Sequence, residues 1–157
     1  MRILALETST PAGGVALLDG DRLIAEYTLS VRAAHSERLM ATVDRLLSDS
    51  GWEIRTIEGL AVSIGPGSFT GLRIGVSTAK GLALALGIPL VGVPTLDALA
   101  AALPHAADPV CPILDAKKGE VYASLFHWEA GRMARDWEYL ALSPADLCSR
   151  LSGPAIF

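Results

Sequence analysis

The stretch that decides the fold is Gly65-Pro66-Gly67-Ser68-Phe69-Thr70-Gly71-Leu72-Arg73-Ile74-Gly75. It follows an apolar run, Leu60-Ala61-Val62-Ser63-Ile64, of the kind that makes a strand buried on both faces. It leads into a helix predicted from near Gly71 to Leu86, with Gly87 as its stop. Glycine, proline and small hydroxyl residues at such a junction let the backbone approach another group closely. They also leave helix N–H groups free for an anion. A Walker-type phosphate loop fails, because Gly71-Leu72-Arg73 stands where Gly-Lys-Ser/Thr is required. A dinucleotide fingerprint comes nearer through Gly65, Gly67 and Gly71, but the next strand ends Gly92-Val93-Pro94 with no acidic residue for a ribose. An anion-binding loop and a tight turn whose glycines permit close packing both stay open.

The helix after the loop is expected to touch a partner. Gly71, Gly75, Ala79 and Ala83 recur at i+4 steps and form a smooth stripe where another backbone can come close. Ile74, Thr78, Leu82 and Ala85 form a second, largely apolar face. A helix apolar on nearly every side has to be buried on two fronts. A sheet covers one, and the other is expected to meet a second helix or subunit, with burial inside the chain as the alternative.

Upstream, Ile3–Leu6, Val15–Leu18 and Arg22–Leu29 are short β-favouring runs separated by turn residues, the pattern of an antiparallel meander. From Ser36, a candidate N-cap, to Ser50 the period becomes helical, with Leu39, Val43, Leu46 and Leu47 on one face and Gly51 as the stop. Downstream come a strand over Pro89–Val93 and a helix over about Thr95–Leu103. Two near-continuous apolar strands separated by a helix imply a parallel crossover. Pro104–Pro109 has the composition of a linker. Beyond it, Val110–Asp115 and Val121–Phe126 restart a strand–turn–strand pattern around Lys117-Lys118-Gly119, and Ser143-Pro144 opens a short helix. Gly153–Phe157 resembles the start of another strand. The expected organisation is an α/β protein with a first lobe over residues 1–104 and an incomplete second lobe over 105–157.

The composition narrows the function classes. Of 157 residues, 51% are hydrophobic and only 19% charged, the opposite of a disordered chain. A net charge of −4 and a pI near 5.3 supply no basic field for binding nucleic acid unaided. The longest apolar stretch, Gly81 to Val93, contains Pro89 and is too short to span a bilayer. The N-terminus carries Glu7 within its apolar run and lacks the pattern of a signal peptide, so a cytoplasmic location without membrane contact is expected.

Other constellations are sparse. His35, His105 and His127 show no metal-binding spacing, so no metal site is expected. Ser68 is not in a nucleophile elbow, since Pro66 stands where that motif needs glycine. Cys111 lies in an apolar strand, as a small core residue does. Glu7, with Thr8 and Ser9, ends the first strand and could reach a nucleotide-bound metal or close a hydrogen-bonded turn. Asp115 ends the first strand of the second lobe, an analogous place that hints at a duplicated architecture.

Four segments together carry a resemblance: Leu6-Glu7-Thr8-Ser9-Thr10; Arg32 through His35-Ser36; the Gly65–Gly75 string; and Leu114-Asp115-Ala116-Lys117-Lys118-Gly119-Glu120-Val121-Tyr122. Across the whole chain they resemble the TsaB (YeaZ) family of bacterial tRNA threonylcarbamoyladenosine biosynthesis. The resemblance implies an ASKHA fold, the ribonuclease H-like architecture of actin, sugar kinases and heat-shock chaperones, with a mixed sheet in the first lobe. It implies a noncatalytic scaffold that pairs with the catalytic paralogue TsaD, engages the ATPase TsaE, forms a homodimer when alone and meets tRNA only indirectly. The family's interface helices correspond to Ser36–Ser50 and Gly71–Leu86. This makes Leu39, Met40, Val43, Leu46, Gly71, Leu72, Gly75, Val76 and Ala79 the expected contact residues. Glu7, Thr8, Ser9 and Asp115 are the expected remnant of a nucleotide site. No cofactor is expected to bind tightly, and at most weak ATP or ADP with magnesium in the assembled complex. TsaD's metal-binding histidine pair falls where this chain has Thr95-Leu96-Asp97-Ala98-Leu99, and the family usually has Asp where Glu7 stands. The alternatives are an ASKHA-type ATPase and, more weakly, a glycoprotease-like peptidase.

Overall fold

The computed structural model describes residues 1–30 and 35–157. Arg32 of the second motif segment lies outside the described residues, as does the side chain of the expected cap Ser36. The chain divides into two compact units, Met1–Val93 and Pro94–Phe157.

In the first unit, β1 (Arg2–Glu7), β2 (Ala12–Asp19) and β3 (Arg22–Ser30) form the expected antiparallel meander. Side chains alternate across a strand, so Leu4 and Leu6 of β1 and Val15 and Leu17 of β2 are all buried on one face. β4 (Gly59–Ser63) lies parallel to β1 with Leu4 opposite Leu60, and β5 (Leu90–Val93) lies parallel to β4. The result is a five-stranded mixed sheet ordered β3-β2-β1-β4-β5, with β1 at its centre. Helix α1 (His35–Ser50) packs on β2 and β3, while α2 (Phe69–Leu86) packs on β4, β1 and β5. On α1, Leu39, Val43, Leu46 and Leu47 all enter the core, each worth about 1.5–3 kcal/mol of burial.

Helix α2 begins at Phe69 rather than near Gly71, because Ser68 caps it. The Gly71 amide donates to Ser68 Oγ at 3.3 Å and the Leu72 amide to the Ser68 carbonyl at 2.8 Å. The helix ends at Gly87, whose φ of 68° is a left-handed conformation that glycine adopts without strain.

The second unit holds α3 (Thr95–Ala101), β6 (Ile113–Lys117), β7 (Glu120–Ala123), β8 (Phe126–Glu129), β9 (Arg132–Arg135), β10 (Leu140–Leu142) and α4 (Pro144–Arg150). The division falls at Val93/Pro94, not at 104/105 as the linker composition implied. Leu96 and Ala100 of α3, both fully buried, share a cluster with Val110 and Phe126, which draws this helix into the second unit. The strand expected over Val121–Phe126 is broken in two. Ser124 donates its hydroxyl to the Trp137 carbonyl at 2.7 Å, and the Leu125 carbonyl accepts from the Asp136 amide at 2.8 Å. The β6–β7 turn has positive φ at Lys118 and Gly119, as a two-residue hairpin of type I′ requires. One sheet is ordered β10-β7-β6, repeating the β3-β2-β1 order of the first unit, and β8-β9 is a separate hairpin.

Candidate functional site: the first turn and the glycine loop

The end of β1 and the glycine loop meet, and the chemistry of that junction is settled by who satisfies whom. Glu7 Oε1 accepts from the Ser9 amide and the Ser9 hydroxyl, both at 2.5 Å, and from the Thr10 amide at 3.2 Å. Of the two uses open to Glu7, the structure shows the hydrogen-bonded turn. Thr8 is 1% exposed. Its amide donates to Ser63 Oγ at 3.4 Å, and its hydroxyl donates to the Gly71 carbonyl at 2.8 Å, so one residue ties β1 to both β4 and α2. The Ser68 amide donates to the Ser9 carbonyl at 2.6 Å, which pins the loop to the same turn.

The glycines are required by these contacts. A Cβ built on Gly67 would run into the Ser9 carbonyl, one on Gly71 into the Thr8 carbonyl, and one on Gly75 into the Thr8 hydroxyl. Each would lie inside the 3.0 Å that real Cβ atoms essentially never breach. The close-packing reading of the loop therefore describes it, and the Ser68, Gly71 and Leu72 amides are engaged by the Ser9 carbonyl and by Ser68 itself.

This geometry corrects the expected contact surface. The Gly71–Gly75–Ala79 stripe is buried against the chain's own first turn and sheet, and Ala79 is 0% exposed. Leu39, Val43 and Leu46 are core residues of the same unit. Among the expected contacts only Met40, 44% exposed, and the half-buried Leu72 and Val76 reach the surface. Of the second face, Ile74 and Leu82 also pack on the core. The outward face of α2 is a third stripe, Phe69, Arg73, Ser77, Lys80 and Leu84. Phe69 is 71% and Leu84 85% exposed, and the Arg73 guanidinium lies 4.7 Å from the Phe69 ring centre. The signal for that stripe was in the sequence as a recurrence at steps of four, four, three and four, masked by its mixture of charged and apolar residues.

Asp115 lies in the other unit. Its carboxylate accepts from the Lys117 amide and pairs with Lys117 Nζ, each at 2.7 Å. The hydrogen bonds from the Lys117 side chain and then its backbone hold Asp115 below the usual carboxylate range. It is thus part of a hairpin turn, as Glu7 is. Thr95 is buried, Leu99 is 40% exposed, and Asp97 accepts from the Tyr139 hydroxyl at 2.9 Å, a contact the sequence did not reveal. Among the described residues no three His, Cys, Asp or Glu side chains converge as a metal centre, and no helix is long and apolar enough to cross a membrane.

The meander followed by a parallel crossover defines an ASKHA-like α/β fold. The activator of 2-hydroxyisocaproyl-CoA dehydratase from Clostridium difficile superposes with a TM-score of 0.54 at 16% identity, over 92% of this chain and 46% of that one, which shows the fold alone. YeaZ from Pseudomonas aeruginosa superposes with a TM-score of 0.85 at 33% identity, over 98% of this chain and 70% of that one. The family model of TsaD, tRNA N6-adenosine threonylcarbamoyltransferase, matches residues 22–148. The tRNA threonylcarbamoyladenosine biosynthesis protein TsaB of Bacillus subtilis (strain 168) is 43% identical over 131 residues, covering 83% of this chain and 57% of the relative. The chain belongs to the TsaB (YeaZ) family, within the wider group that the transferase model describes. It spans little more than half the length of that curated relative.

Proposed function

We propose that the chain serves tRNA threonylcarbamoyladenosine biosynthesis in the cytoplasm as a noncatalytic subunit that docks on a TsaD-type transferase. The observation that carries this reading is the filled junction. Glu7 Oε1 and the Ser68 and Gly71 amides, groups a nucleotide enzyme would keep open, are engaged here within the chain by Ser9, Thr10 and Ser68. Those engaged groups support the reading that the junction holds no nucleotide with its magnesium tightly. Thr95 and Leu99, in place of the histidine pair the resemblance gives the transferase, support the same reading. So does the net charge of −4, which leaves the tRNA to the partner.

The outward surfaces of α1 and α2 are the docking surface, with Met40, Phe69 and Leu84 as apolar anchors and Arg73 beside them. Without the transferase the same surface pairs two copies of this chain, and a TsaE-type ATPase joins the assembled complex. Light scattering of the chain with and without the transferase tests the reading, with a mixed complex expected in place of the self-paired one. A transferase that leaves the scattering mass distribution unchanged would refute it. Isothermal titration with ATP and magnesium tests the rival ATPase, and a dissociation constant in the low micromolar range would favour that rival.

A further inference from the structure

The imidazole of His127, on β8, lies between two carboxylates. Its Nδ1 is 2.7 Å from Asp136 Oδ1 and its Nε2 is 3.2 Å from Glu129 Oε2. An ionised carboxylate only accepts hydrogen bonds, so both ring nitrogens have to donate, and only the imidazolium has two N–H groups. A neutral ring would turn a lone pair toward one of the two anions. The arrangement therefore selects the charged histidine by geometry.

The position of Asp136 gives this pairing a structural consequence. The chain leaves β9 and crosses back over the Ser124-Leu125 break, where the Asp136 and Trp137 amides both donate to the Leu125 carbonyl, at 2.8 and 3.4 Å. Ser124, fully buried, donates to the Trp137 carbonyl. Trp137 then packs on the cluster of Cys111, Ala123 and Leu147, with the Arg150 guanidinium 5.1 Å from its ring centre. The hairpin is seated in the core by Phe126, which exchanges two backbone hydrogen bonds with Val110, and His127 adds a side-chain link from β8 to the crossing.

On the face that carries His127, Ala134 stands opposite the ring and Arg132 stands opposite Glu129, so one cation shares that face with the cluster. Strand alternation puts Arg135 on the other face of the hairpin, where it lies 4.0 Å from Asp97 of α3 and 4.4 Å from the Tyr139 ring centre. His105 meets Trp128, also on that other face, with ring centres 4.7 Å apart.

We propose that His127 is a protonation-dependent latch holding the β8–β9 hairpin to the Asp136-Trp137 crossing. Its hydrogen bonds to Glu129 and then to Asp136 raise its pKa above the ordinary histidine value of 6.5. A pKa raised in the folded state means the stabilisation is fully present below the unfolded value and is lost as pH rises through the folded one. The latch is closed in acid and lost in mildly alkaline solution, loosening the Asp136-Trp137 crossing while Phe126 and its pairing with Val110 keep the hairpin in place.

The test follows the His127 Cε1–H resonance of the whole chain by NMR from pH 5 to 9, assigned with H127Q, together with exchange of the Asp136 and Trp137 amides. The expected midpoint lies above 6.5, with protection of the two amides falling several-fold, beyond the base-catalysed trend, as the midpoint is passed. D136N should bring the midpoint down and remove the pH dependence of protection. Glu129 is 70% exposed at its side chain, so E129Q leaves the fold intact and should also lower the midpoint if D136N does not fold. A wild-type midpoint at or below 6.5, or one that E129Q and D136N leave unmoved, would overturn the latch.

Discussion

Replacing Gly71 by alanine and Gly81 by alanine places the same methyl group on the same helix in opposite circumstances. At Gly71 the new Cβ meets the backbone carbonyl of Thr8 well inside 3.0 Å, so α2 has to back away from the first turn. Overpacking of this kind costs about 1–3 kcal/mol, and more when the obstacle is backbone. The shift also stretches the Thr8 hydroxyl bond to the Gly71 carbonyl, worth about 1 kcal/mol. Alanine recovers up to ~1 kcal/mol of helix propensity, leaving a net loss of about 3 kcal/mol. For a chain of this length that is a fall in melting temperature of roughly 6–12 °C. At Gly81 nothing lies within 4 Å of the added Cβ, so only the propensity gain remains, about 0.5–1 kcal/mol of stabilisation. Urea unfolding followed by circular dichroism reads both variants. A G71A protein as stable as the parent, or a G81A protein less stable than it, would refute the packing account of the glycine loop.

Other consequences are checked by similar means. T8V keeps the shape of the buried Thr8 side chain but removes its hydroxyl bond to the Gly71 carbonyl, and a loss of about 0.5–1.5 kcal/mol in chemical denaturation is expected. S68A removes the cap of α2 and should cost about 1 kcal/mol in the same measurement. Asp115 is held below the usual carboxylate range by Lys117, so its contribution is present above the unfolded carboxylate pKa and lost as pH falls through the folded one. Carbon-detected NMR titration of Asp115 should therefore show its midpoint rise in K117M.

The meander, the crossover and the glycine loop were legible because each is written locally: period-two runs, turn residues, and glycines between a strand and a helix. The direction of the Gly71–Gly75–Ala79 stripe was not. Periodicity shows that a face is smooth, but its neighbour Thr8 lies 63 residues away from Gly71, and no local pattern names a partner at that distance. The use of Glu7 was half legible, since a carboxylate followed by Thr8 and Ser9 can close a turn or meet a metal. Which one occurs depends on the Ser9 and Thr10 backbone. The placement of α3 failed for a related reason. Linker composition at Pro104–Pro109 marks a loop, while Leu96 and Ala100 choose their unit by burial against Val110 and Phe126. The His127 cluster escaped because its members are spread over a hairpin and the crossing after it, at spacings that match no motif.

The central claim is that the glycine stripe holds the fold together while the outward face of α1 and α2 holds the partner. The affinity of the TsaD-type transferase for the parent chain and for M40D/L84D, with melting temperatures recorded alongside, tests it most directly. Both side chains are exposed, at 44% and 85%, so the melting temperature should stay within a few degrees while the affinity falls at least tenfold. A transferase that binds the double variant as tightly as the parent would contradict the account.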